Sequence, residues 1–65
     1  MKRKLTMKEW RKVMDLTQAE VAQKLHIHPN TYREYEEHPE RVRIGTIICF
    51  CNVLGIKTSE IDMGV

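Results

Sequence analysis

Apolar positions along this chain recur at spacings of three and four and do not alternate, so the pattern predicts helices and no strands. Met7, Trp10 and Met14 fall at i, i+3 and i+7, and Val13 widens their stripe; this predicts a first helix from about Thr6 to Asp15. Thr17 followed by Glu20 is a capping-box pattern, in which the hydroxyl accepts from a free amide and the carboxylate reaches back. A second helix therefore starts at Thr17, buries Val21, Ala22 and Leu25, and stops near Leu25 or His26. A third starts at Pro29, since proline suits a first helical position that has no use for an N–H. His28 would be its cap, and His38-Pro39 ends it because a residue before proline avoids the helical region. After a charged loop, Glu40 to Arg43, a fourth helix spans about Ile44 to Leu54. Ile44, Ile47, Cys51 and Leu54 are expected to line its inner side, with Phe50 beside them, and Gly55 is its stop. Thr58 or Ser59 would cap a last short turn running through Met63.

The apolar rhythm breaks at Leu25-His26-Ile27-His28-Pro29 and resumes at once. One long helix would not tolerate that proline, and a loop would not return to helix so soon. The spacing predicts two short helices on a tight turn, a helix-turn-helix whose second helix is free to enter a major groove. Ala22 is small where the two axes would cross, Leu25 and Ile27 flank the turn, and Tyr32 and Tyr35 can tie the third helix to the second. The expected fold is all-α: a compact bundle of about five short helices, one domain over residues 1–65.

Composition adds bounds. A chain of 65 residues with 42% hydrophobic and 31% charged content is that of a small globular protein, not a disordered one. No stretch has transmembrane length, and Met1-Lys2-Arg3-Lys4 is not followed by an apolar run, so no signal peptide is expected and the location reads as cytoplasmic. The net charge of +2 is a weak hint of an anionic partner.

The ordered fragments "MKEWRKVMDLTQAEVAQKL", "TYREYE" and "NVLGI" resemble the Xre family, the Cro/CI-type helix-turn-helix of phage repressors with the lambda-repressor-like fold. The matching positions are Met7, Trp10-Arg11, Leu16-Thr17-Gln18, Ala22, Tyr35-Glu36 and Leu54-Gly55-Ile56, and the likeness covers about residues 5 to 63. It implies a sequence-specific regulator of double-stranded DNA, a repressor by analogy, acting as a homodimer on a pseudo-palindromic operator. It also implies roles. Gln18 would contact phosphate at the front of the second helix, and Arg11 and Glu36 would form an internal ion pair. Asn30 would face base edges, where asparagine reads adenine. Thr31 and Arg33 would take phosphate, with guanine an alternative for Arg33, and Glu34, one turn after Asn30, would accept from cytosine. Arg41 and Arg43, with Lys2, Arg3 and Lys4, would help hold the backbone.

Three positions depart from the family pattern. His26 stands where glycine is usual, and histidine is among the residues that tolerate the left-handed region. Pro29 occupies a slot often held by a base-reading polar residue, which leaves only apolar readout there, for example of a thymine methyl. The segment around "EEHPERVR" is mixed in sign, and Glu34, Glu37 and Glu40 would repel phosphate if they faced it.

His26, His28, His38, Cys49 and Cys51 do not have the spacing of a closed zinc site. The two cysteines point to different sides of a helix, so they read as reduced thiols, Cys51 in the core and Cys49 exposed. No converging acid, base or nucleophile suggests an enzyme, and no cofactor is expected. The apolar tail Ile56, Ile61, Met63 and Val65, with Ile48, is the candidate contact between two copies. A second reading keeps the fold but binds a protein partner, as an antirepressor or antitoxin-like component would, and the acidic residues around the third helix favour it.

Overall fold

A computed structural model describes residues 4–62. Four α-helices follow in order: α1 (Met7–Val13), α2 (Gln18–Leu25), α3 (Pro29–Glu37) and α4 (Ile44–Leu54). Two 3-10 turns complete the described elements: Pro39–Arg41, where a helix end and a charged loop were expected, and Thr58–Glu60. The second lies inside the expected last turn, although Lys57 rather than Thr58 or Ser59 precedes it; Met63 falls outside the described residues.

Each helix start follows from local chemistry. Thr17 and Glu20 form the expected capping box: the Thr17 hydroxyl accepts from the Glu20 amide at 3.1 Å, and Glu20 accepts from the Thr17 amide at 2.8 Å. The Glu20 carboxyl titrates below its ordinary value, held there first by the Thr17 backbone N–H. Thr6 and Glu9 make a second such box at the start of α1. Its Thr-x-x-Glu spelling was as readable as the first, and the expectation drawn from sequence passed over it. His28 caps α3 by accepting the Asn30 amide on Nδ1 at 3.1 Å. His26 ends α2 in the left-handed region, at φ 58° and ψ 42°, which lets the chain turn within a few residues.

The core comprises Met7, Val21, Ala22, Tyr32, Val42, Ile47, Phe50, Cys51 and Ile61, with the Tyr32 and Phe50 rings stacked at 6.4 Å between centroids. Trp10, Leu16, Leu25, Ile27, Tyr35, Leu54 and Ile56 pack around it. Three expectations are corrected. Ile44 is 61% exposed, because the inner side of α4 is set by Ile47, Phe50, Cys51 and Leu54 and Ile44 falls outside that arc. Val13 and Met14 are exposed at the end of α1, where the helix stops two residues early and Asp15 turns at φ 57°. Ile61 is 4% exposed and sits opposite Leu5 in an isolated parallel bridge, so it belongs to the core and is not available to a second copy.

That bridge joins the two ends of the described chain. The Leu5 amide donates to the Glu60 carbonyl, the Asp62 amide donates to the Leu5 carbonyl, and the Trp10 indole N–H donates to the Glu60 carbonyl at 2.9 Å. The helices α1, α2, α3 and α4 share one core, against which α3 lays one face only.

Candidate nucleic-acid interface

The outer face of α3 is a continuous stripe. Pro29, Asn30, Arg33, Glu34 and Glu37 are exposed, at i, i+1, i+4, i+5 and i+8, while Tyr32 is fully buried and Thr31, Tyr35 and Glu36 are half-buried behind them. A helix of 9 residues is about 13 Å long and, with its side chains, about 10–12 Å across, which suits a major groove about 12 Å wide. All four base-reading candidates, Pro29, Asn30, Arg33 and Glu34, therefore share one accessible edge, and Thr31 lies at its flank. Arg41, in the 3-10 turn, and Arg43, immediately before α4, are both exposed beyond the end of α3, as is Lys4 near the start of α1. Lys2 and Arg3 lie outside the described residues.

Behind this stripe a polar cluster fixes three helices to one another. Arg11 of α1 meets Glu36 of α3, Nε to Oε2 at 2.6 Å, with a second, longer hydrogen bond from Nη2 to Oε1 at 3.3 Å. Their side chains are 13% and 3% exposed. Arg11 Nη1 also donates to the Leu16 carbonyl at 2.8 Å, which holds the link between α1 and α2. Gln18 of α2 then donates from Nε2 to Glu36 Oε1 at 2.9 Å. Burial opposes the Glu36 charge, but the donors around it prevail, Arg11 foremost, and the carboxyl titrates below its ordinary value. The same hydrogen bond raises the Arg11 pKa above its ordinary value, against the opposing effect of burial.

The Tyr32 hydroxyl reaches into this cluster without meeting a partner at hydrogen-bonding geometry. Burial, reinforced by the Glu36 carboxylate, pushes its pKa up, so it is a neutral phenol at all ordinary pH. Its role is packing.

Gln18 is thus tethered where the sequence suggested only an outward contact. An amide nitrogen has two hydrogens, and this bond uses one of them. The Gln18–Glu36 bond left no trace in the sequence beyond the two residue types, because nothing local says that positions 18 and 36 meet. Among the described residues no group of three or more His, Cys, Asp or Glu is placed to hold a metal ion, and no helix is long and apolar enough to cross a membrane.

Neither the curated proteins nor the solved structures gave a match to this chain. A family model described as Helix-turn-helix matches residues 7–61, from the first residue of α1 to the isoleucine that closes the core. The chain belongs to the Cro/CI-type, Xre-like helix-turn-helix family and is, at that level, a DNA-binding regulator on an all-α fold.

Proposed function

We propose that the protein is a sequence-specific regulator of double-stranded DNA, acting as a repressor, with α3 in the major groove and α2 across the backbone. The observation that carries this reading is the exposed stripe Pro29, Asn30, Arg33, Glu34 and Glu37 on a helix whose opposite face is fixed in the core. Asn30 reads adenine, Arg33 takes guanine or phosphate, Glu34 accepts from cytosine, and Pro29 offers only apolar contact. Gln18, Thr31, Arg41 and Arg43 hold phosphates and set the register of the helix. A single α3 reads few bases, so two copies bind a pseudo-palindrome with half-sites about 34–36 Å apart.

One observation favours a second reading. Glu34 and Glu37 leave the α3 stripe with more negative than positive side chains, which suits a basic protein partner better than a phosphate backbone. Selection of the full chain against a random duplex library separates the two. The DNA reading expects a recovered motif with two-fold symmetry. Recovery of no motif, together with no binding to any duplex in dilute buffer, would leave the protein-partner reading standing.

A further inference from the structure

His28 stands one residue ahead of the α3 stripe, and its two ring nitrogens differ in state. Nδ1 accepts the Asn30 amide at 3.1 Å, which caps the helix. A neutral imidazole carries one N–H, so an accepting Nδ1 leaves that proton on Nε2. The cap thereby fixes the tautomer: Nδ1 is spent on the backbone of α3, and Nε2, at the far end of the ring, is a donor. His28 is exposed, and Nε2 has no hydrogen-bond partner among the described residues.

Two comparisons set this donor apart. His38, at the other end of α3, has its Nδ1 3.5 Å from a Glu40 carboxylate oxygen, whereas His28 makes no ion pair among the described residues. The backbone at the start of α3 offers little in its place: Pro29 has no N–H, and the Asn30 amide is already held by the ring. A side chain thus supplies the outward donor that a helix start ordinarily draws from its amides.

We propose that His28 is a further DNA-contact residue, donating from Nε2–H to an acceptor on the duplex. The inference rests on the DNA-binding reading and adds to it. In that docking the leading residues of the recognition helix approach the base edges, and the residue just before Pro29 and Asn30 arrives with them. The acceptor is a phosphate oxygen or a base-edge acceptor such as guanine N7. The amino groups of adenine and cytosine do not suit this ring, because its accepting nitrogen is occupied by the cap.

Two substitutions separate the cap from the contact. Serine keeps the cap through its hydroxyl and is too short to reach beyond it; glutamine gives up the cap but carries a carboxamide N–H at about the reach of Nε2. His28→Ser is expected to melt at or above the wild-type temperature and to lose roughly tenfold in affinity for the selected duplex, the scale of one hydrogen bond to a charged acceptor. His28→Gln is expected to melt several degrees lower and yet to bind more tightly than His28→Ser. Circular dichroism gives the melting, and fluorescence anisotropy gives the affinities on the selected duplex and its single-base variants. An equal loss on all of them assigns the acceptor to phosphate; a loss confined to one base pair assigns it to a base edge. A folded His28→Ser that binds as the wild type does would overturn the proposal. So would a loss of affinity in His28→Gln alone, which would make His28 a cap and nothing more. Should His28→Gln not fold, His28→Ser decides by itself. Either of those overturning results leaves the DNA reading in place, since wild-type binding is measured beside them; a wild-type chain that binds no duplex removes both.

Discussion

At the level of single residues, Glu36 carries the most consequence. It sits at the meeting point of α1, α2 and α3, with a charge held against burial by donors of which Arg11 is foremost and Gln18 another. Arg11→Ala removes the stronger donor. Breaking a fully buried pair costs about 3–5 kcal/mol, but here Gln18 remains and Arg11 reaches the surface, so a loss of about 2–3 kcal/mol is expected. In a domain this small that lowers the melting temperature by roughly 8–24 °C. An unchanged melting curve would remove the cluster from any account of stability. The same carboxyl sets a pH dependence. Its pKa is lower in the folded state than the ordinary value of about 4.3, so the unfolded chain binds protons first. The stabilisation is complete above that ordinary value and is lost as pH falls through the lower folded one. Melting temperature should therefore drop with acid, and the drop should be shallower in Glu36→Gln, with Glu20 supplying part of the remaining slope. Asn30 is exposed on the proposed interface and not in the core: Asn30→Ala should leave melting unchanged and cost about 1–3 kcal/mol of DNA affinity, blurring preference at one base pair.

At the level of elements, the sequence was most readable where the rule is local. The Thr17 capping box, the His28 cap with Pro29, the Gly55 stop and the bounds of α4 all follow from residues within one turn of each other. The exposure of Ile44 was not readable in that way. A helix as apolar as α4 has no polar face to show which side is inner, and only the packing of Ile47, Phe50 and Cys51 decides it. Ile61 was misread for a related reason: its partner Leu5 is at the other end of the chain, and an isolated bridge has no periodicity. His26 shows what a local departure costs. Its left-handed backbone burdens a side chain that glycine would not carry, so His26→Gly should raise stability by about 0.5–1 kcal/mol, read as a higher melting temperature. A fall instead would mean that the imidazole makes a contribution that its exposed position does not suggest.

For the whole molecule, family membership and the arrangement of α2 and α3 agree on a DNA-binding fold, while the α3 stripe is mixed in charge. On the proposed reading, Glu34 and Glu37 beside Arg33 would keep attraction to arbitrary DNA modest and leave selectivity to side chains meeting the right bases. The assignment of particular residues to DNA rests on resemblance alone, since exposure marks a face as available without saying what it meets. The most direct measurement is the affinity of the full chain for its selected duplex as a function of salt. With about six phosphates contacted, log K should fall linearly with log salt, losing roughly a thousandfold between about 50 and 200 mM. A flat dependence, or equal affinity for the selected and a scrambled duplex, would contradict the account.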